Sequence, residues 1–336
     1  MPDMHNFAEL FSRFPSIKVG VVGDVMLDTY MWGHVERISP EAPVPVVSID
    51  KKEFRIGGAG NVAYNLQALG AQSFVLSVTG DDEDALRLVQ LFSGLGVNSA
   101  YSIRSRDRIT TNKTRIISRN QQMMRLDTEI TRELTPGDEE SLMLAFDRFL
   151  TEVRPDVVIL EDYNKGVLTE RIIHHVIDAC KTAGVITAVD PKRKNFFAYR
   201  GVDIFKPNLG EVREGLNLLS VDAGVGQLQT IHGELHDRLQ HNISFITLSE
   251  KGVFYQQGER AEIIPSHLRN IADVSGAGDT VIAVAALVYA ATRDVHLMAE
   301  IANIAGGLVC EIVGTAAINV KQLLDETEAL LGKQYQ

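Results

Sequence analysis

The sequence predicts an α/β fold: a mostly parallel central sheet flanked by helices, with a small β lid. Three observations predict it. From residue 153 onward strand and helix patterns alternate, as DVVILEDY, RIIHHVIDACKTAG, VITAVDPK, a short helix and DIFKPN. Such βα repeats build parallel sheets with helices on both faces. The strands IKVGVVGDVMLD and FVLSVTGDD are apolar on consecutive positions, as strands covered on both faces are. Two segments, 30–56 and 101–127, break the alternation. They are β-like but polar, and the first carries Pro40, Pro43 and Pro45, which suits an exposed edge or a small antiparallel sheet. Together they read as the lid.

The elements follow in order. Residues 5–14 form a short amphipathic helix ahead of the first strand. After the first lid segment a helix opens at GGAGNVAYNLQALG and closes at Gly70. FVLSVTGDD leads into a helix through ALRLVQLFSGLG. ISFITLSEKGVFYQ reads as a hairpin-like pair, and an apolar helix follows Asp279. With no internal repeat, low-complexity tract or long linker, residues 1–336 read as a single domain.

The formal net charge of −11 argues against a general nucleic-acid partner. Cys180 and Cys310 have no metal spacing and suit a reducing compartment. MPDMHNFAELFSRFP lacks the apolar core of a signal peptide, and the apolar run 281–291 is too short to span a bilayer. A soluble cytoplasmic protein without membrane contact is expected. His232 and His236 have helical spacing but no third ligand, and His174 and His175 lie on a predicted helix, so no histidine metal site is expected.

The chemistry concentrates in two glycine-rich turns and several strand ends. In DVSGAGDT (273–280), Ser275 can cap a helix starting near Gly276, and Gly276, Ala277 and Gly278 leave its first amides open to an anion. Asp279 then sits in the first turn. It compensates the helix dipole, or accepts a hydroxyl proton while the amides hold phosphoryl charge. The dipole should keep it ionised and only weakly basic. GGAGNVA (57–63) mimics a dinucleotide fingerprint, but the charged IDKKEFR before it is not the buried strand that fingerprint requires. The alternative is that Gly57 and Gly58 let a sugar approach the backbone while Asn61 bonds its hydroxyls.

Asp24 ends the first strand, with Asp28 four residues on. Carboxyl ends of such strands line the ligand crevice, so these acids pair with sugar hydroxyls or are simply loop acids. Glu161 and Asp162, after the VVIL strand, carry the same two readings. In KPNLGE (206–211), Asn208 and Glu211 either face one phosphate–metal cluster or cap a helix. Segment 104–125 holds Arg104, Arg106, Arg108, Lys113, Arg115, Arg119 and Arg125 against one acid, Asp107. Concentrated against the global sign, these cations suit an anionic substrate. Lys192, in DPKRKN, suits a second phosphate at another strand end.

With these pieces assembled, DVSGAGDT resembles the C-terminal motif, and GGAGNVA the N-terminal glycine-rich motif, of ribokinase-like carbohydrate kinases. The resemblance spans about 15–325. It implies a β lid over the sugar, ATP as co-substrate with Mg²⁺, and in-line phosphoryl transfer. Asp279 is then the catalytic base, Gly276–Gly278 the anion hole, and Asp24, Gly58 and Asn61 sugar contacts. Asn208 and Glu211 match an NxxE element that organises Mg²⁺, through water, and phosphate. TLSEKG, with Ser249, Lys251 and Gly252, and the region of Asn303 match the nucleotide-base pocket. Asp273 and Ser275 match a loop that binds a monovalent cation such as K⁺ in some members.

Further stretches (VVGDVMLDTYMWGHVERISPEAPVPVV, SRNQQMMRLD, EDYNKG, DPK and DVSGAGDTVIA) resemble bacterial D-glycero-β-D-manno-heptose-7-phosphate kinases, which serve lipopolysaccharide core synthesis. Members often carry a fused nucleotidyltransferase marked by HxGH. These 336 residues contain no HxGH, so the resemblance is to the kinase alone. It departs from the common pattern at GGAG for GGAA, NLGE for NLSE and serine in DVSGAGD. It implies heptose phosphate as substrate, with Lys192, Arg104 and Arg115 as candidate anchors for its phosphate. Separately, lid strands with alternating apolar residues suit pairing between two chains, so a homodimer through the lid is expected. Alternatives are a kinase for fructose 6-phosphate or ribose, an NAD-dependent oxidoreductase, or a non-catalytic sugar-binding regulator.

Overall fold

The computed structural model describes residues 6–119, 121–221, 223–267, 271–312 and 314–332. His5, in the expected first helix, and Asn120, in SRNQQMMRLD, lie outside them. An eight-stranded sheet takes the order β14-β13-β12-β11-β10-β9-β1-β4. Its strands are β1 (Lys18–Gly23), β4 (Gln72–Leu76), β9 (Val157–Glu161), β10 (Ile186–Asp190), β11 (Ile204–Phe205), β12 (Ile243–Thr247), β13 (Val253–Gln257) and β14 (Arg260–Ile264). β4 through β12 pair in parallel, and β13 and β14 complete an antiparallel edge.

Consecutive apolar residues are needed because each strand feeds two cores. Val157 and Ile159 of β9 join one cluster while Val158 and Leu160 join the other. The first is covered by α2 (Ala59–Ala68), α8 (Ala277–Thr292) and α9 (Val295–Val309), the second by α4 (Pro136–Val153), α5 (Glu170–Ala183) and α7 (Val225–Leu239). α8 is buried from Asp279 to Tyr289, which explains its lack of a polar face.

The lid is a second, four-stranded sheet ordered β3-β2-β7-β8: β2 (Val25–Ile38), β3 (Pro45–Gly58), β7 (Asn112–Ser118) and β8 (Gln121–Thr128). Three expectations need correction. IKVGVVGDVMLD is not one strand: the chain leaves the main sheet at Asp24, and β2 carries the apolar run into the lid. The lid is not wholly antiparallel, because β2 and β7 pair in parallel. The segment from 101 does not all belong to it. β6 (Ile103–Ser105) pairs instead with β5 (Val78–Gly80) in a separate ladder.

Candidate active site

The carboxyl ends of β1, β9, β10 and β11 converge on one edge of the sheet, and each delivers a charged residue there. Asp24 N donates to Glu161 O at 3.2 Å, Asp162 N to Asp190 O at 3.2 Å, and Lys206 N to Val189 O at 2.9 Å. The start of α8 faces this edge. Gly276, with φ +78°, is its N-cap residue, and a Cβ there would lie 2.8 Å from Asn61 Nδ2. Glycine is therefore required on both backbone and packing grounds. Among the described residues, the amides of Gly276, Gly278 and Asp279 have no protein acceptor, whereas Ala277 N donates to Val274 O at 3.3 Å. Ala277 thus drops out of the expected amide set. Nor does Ser275 cap the helix, since its hydroxyl donates to Asp273 Oδ1 at 2.8 Å.

Asp279 is buried in the first turn of α8, where Oδ2 accepts from Asn61 Nδ2 and Oδ1 from the Tyr163 hydroxyl, each at 2.7 Å. Burial pushes its carboxyl up to about 6, against the two hydrogen bonds that favour the charge. The expectation of a weakly basic, dipole-held carboxylate is corrected: desolvation outweighs the helix terminus. Asn61 is held in turn by α2. Asn65, one turn on, donates to Asn61 O at 2.9 Å and accepts from Thr280 Oγ1 and Ile318 N, both at 3.0 Å. Gly58 has φ +61°, and a Cβ there would collide with the Asp24 carbonyl. Because GGAG follows an antiparallel lid strand, it is not a dinucleotide fingerprint.

The acids separate by task. Asp24 accepts the amides of Tyr163 (2.9 Å), Lys165 (3.0 Å) and Val167 (3.0 Å), so it clamps the loop after β9. Asp162 is also committed, to Tyr199 OH at 2.7 Å and Asn164 N at 2.7 Å. Asp28, beside Gly57, is paired with Arg115 at 2.5 Å. Glu161 is different. It is buried, neither oxygen has a partner among the described residues, and burial together with Asp190 and Asp279 pushes it well up. Such an orphaned carboxyl points to a ligand group that completes the site.

Two lysines meet at Asp190, Lys206 at 2.8 Å and Lys192 at 3.2 Å. Burial works to raise Asp190, but the two ammoniums outweigh it and hold it below its ordinary range. A Cβ on Gly278 would lie 3.6 Å from Asp190 Oδ2 and 3.9 Å from Lys206 Nζ, so this cation group sits under the open amides. Lys192 also bonds Glu211 Oε1 at 2.5 Å. Asn208 and Glu211 do cap a helix, α6 (Leu209–Gly215): Asn208 Oδ1 accepts Glu211 N, and Glu211 Oε2 accepts Asn208 N. The two readings of KPNLGE therefore coexist, with the box aiming Glu211 at Lys192.

The nucleotide-pocket candidates lie together. Ser249 and Lys251 are exposed on the turn between β12 and β13, while Gly252 packs against Ile264–Ser266. Asn303 of α9 donates to Pro265 O at 2.9 Å. Asp273 accepts Ser275 N at 2.9 Å and Gly314 N at 2.9 Å, fastening the expected cation loop to the segment after α9. Arg104 is exposed on β6, in the separate ladder. His232 and His236 of α7 cluster with His241, where His232 and His241 both reach Ser244 of β12, and among the described residues no group of three or more His, Cys, Asp or Glu is placed to hold a metal. Missed by sequence reasoning were Tyr163, Asp190 and Lys206. Each lies inside a stretch already notable (EDYNKG, DPK, KPNLGE), and the signal was a charged or phenolic residue at a buried strand end.

A lidded sheet of this order, with an acid under open helix amides, is the ribokinase-like architecture. The chain is similar in fold to phosphofructokinase-2 from Escherichia coli in complex with potassium, with a TM-score of 0.78 over 94% of this chain and 99% of that one, at 16% identity. It is likewise similar to Arabidopsis thaliana ribokinase complexed with ribose and ATP, with a TM-score of 0.69 over 92% and 98%, at 17% identity. The chain belongs to the pfkB family of carbohydrate kinases, whose signature matches residues 16–322. It is 37% identical to the bifunctional protein HldE of Helicobacter hepaticus over 92% of this chain and 63% of that protein. To HldE of Geotalea uraniireducens it is 38% identical over 94% and 64%. The chain thus spans just under two thirds of the length of these relatives.

Proposed function

We propose that the protein transfers the γ-phosphoryl group of ATP to O1 of D-glycero-β-D-manno-heptose 7-phosphate, giving the 1,7-bisphosphate and ADP, a step toward ADP-heptose for lipopolysaccharide core. The observation that supports this most is the match along nearly the whole chain to the HldE proteins, with Asp279 buried beneath open amides. The O1–H proton passes to Asp279 as O1 bonds to phosphorus and the bond to the ADP oxygen breaks. The amides of Gly276, Gly278 and Asp279, with Lys206 beneath, offset charge on the transferring group.

Mg²⁺, when bound with ATP, neutralises phosphate charge. Both Glu211 oxygens are already engaged, which fits a metal carried in by the nucleotide and met through water. Asp273 and Ser275 are proposed for a monovalent cation, and Ser249, Lys251, Gly252 and Asn303 for the nucleotide.

For the 7-phosphate the favoured anchor moves to Lys113 on the lid. Lys192 and Arg115 are bound to carboxylates, and Arg104 is exposed on the separate β5–β6 ladder. Lys113 is half-buried, faces Tyr163 at 5.8 Å, and has no carboxylate within 4.0 Å among the described residues. Its cross-strand neighbours Asp28 and Asp127 are taken by Arg115 and Arg125. The protein is proposed to work in the cytoplasm, and among the described residues no helix is long and apolar enough to cross a membrane. A homodimer through the lid is supported by exposed Ile38, Met124 and Leu126 there.

The test is ADP release with ATP and Mg²⁺ on the heptose phosphate, fructose 6-phosphate, ribose and no sugar. Turnover on the heptose phosphate alone is expected. Turnover on another sugar would keep Asp279 as base but discard the heptose reading.

A further inference from the structure

The proposed base has both oxygens occupied, and one of its partners is unusually well supported. Tyr163 lies in the loop after β9, which Asp24 pins through the amides of Tyr163, Lys165 and Val167. Arg108, buried under the lid, also donates to Lys165 O. The Tyr163 ring lies near two ammoniums, Lys113 of the lid at 5.8 Å and Lys192 of the sheet edge at 5.7 Å from its centroid. This scaffold delivers the phenol to Asp279 Oδ1 at 2.7 Å.

We propose that Tyr163 is a positioning residue for the base, fixing the Asp279 carboxylate in the turned, ionised state that accepts the sugar hydroxyl proton. This rests on the reading of the protein as a sugar kinase with Asp279 as base. A donor to the ionised form of an acid favours that form. Burial raises Asp279, Asn61 of α2 and Tyr163 oppose the rise, Asp190 of β10 adds to it, and Lys206 after β11 opposes it. Glu161 of β9 also faces this carboxylate. Burial and the Asp279 charge push the phenol itself well up, so Tyr163 stays a donor across the working range. Each oxygen of Asp279 retains lone-pair capacity for the sugar hydroxyl, so Tyr163 need not leave.

The test compares Tyr163→Phe with wild type in steady-state ADP release between about pH 5 and 9, with ATP and Mg²⁺ saturating. The phenylalanine ring keeps the contacts with both lysines and removes only the donor. The acid limb of kcat should move up by roughly half to one pH unit relative to wild type. The kcat deficit should then be about three- to tenfold at the acid end and shrink above about pH 8, with the sugar KM changed by less than about threefold. A merely structural role would lower kcat by one factor at every pH. An unmoved limb overturns the proposal, and so does a raised KM with kcat retained, which would make Tyr163 a sugar contact. If Tyr163→Phe does not fold, 3-fluorotyrosine at 163, a stronger donor, must move the limb down, and no movement overturns the proposal. Absence of wild-type turnover on every sugar would defeat the kinase reading itself, an outcome distinct from any difference between variants.

Discussion

Asp24→Asn separates a clamp from a sugar ligand. The substitution is isosteric, and Asp24 is 1% exposed, so packing barely changes. One carboxylate oxygen accepts two amides, from Tyr163 and Lys165, and the other accepts that of Val167. In its better orientation asparagine keeps the first two and turns an NH₂ toward Val167 N–H. One hydrogen bond to a charged acceptor is lost and a buried donor is orphaned, a cost of about 2–3 kcal/mol. For 336 residues the unfolding entropy is about 0.7 kcal/mol per kelvin, so the melting temperature should fall by about 3–4 °C. Loosening of the loop carries Tyr163 off Asp279, which should lower kcat by up to about tenfold at the acid end, as for Tyr163→Phe. Differential scanning fluorimetry and ADP release check both numbers. An unchanged melting temperature with a raised sugar KM would refute the clamp and restore Asp24 as a direct sugar ligand.

Asp279→Asn should retain ATP binding, measured calorimetrically, while kcat falls about 10²–10⁴-fold and the acid limb disappears. Near-normal turnover would remove Asp279 as the base. The buried histidines predict acid sensitivity. Burial pulls His232 down to about 4 and His241 down to about 3. Because both fold neutral, their stabilisation is full above the unfolded value near about 6.5 and is lost as pH falls toward those values. Urea midpoints should drop between about pH 6 and 4 with a slope of up to about 1.4 kcal/mol per pH unit for each histidine. A flat profile would show that the cluster already binds protons when folded. Leu126→Asp, on the exposed face of β8, should convert a sedimenting dimer to monomer at micromolar concentration. A wild type that sediments only as monomer would sink the lid dimer.

Much of the candidate site was legible because its local signals are chemical. The open turn before α8, the acid inside it and Asn61 are each specified by a few adjacent residues. What misled was mostly long-range, although one helix with clear local signals was also missed. The apolar run through Asp24 reads as one strand because burial on both faces continues from β1 into β2, although the chain changes sheets. Helix Pro136–Val153 was absent from the expectation although Thr135 caps it and Pro136 opens it. Arg104, Lys113 and Arg115 look alike in a run of cations, yet one lies in another ladder, one faces the site and one is neutralised.

By itself, then, the sequence determined the layered sheet, the glycine turns and the acid at the start of α8, because burial periodicity and steric freedom act over a few residues. Only the tertiary structure decided which carboxylates were spent and which were left over. Asp24 and Asp162 were engaged by nearby donors, Glu161 was left without a partner among the described residues, and Tyr163 reached Asp279 across 116 residues of chain. The state of an acid depends on the donors and dielectric that surround it, and those are supplied by strands distant in sequence whose ends meet only when the sheet has formed.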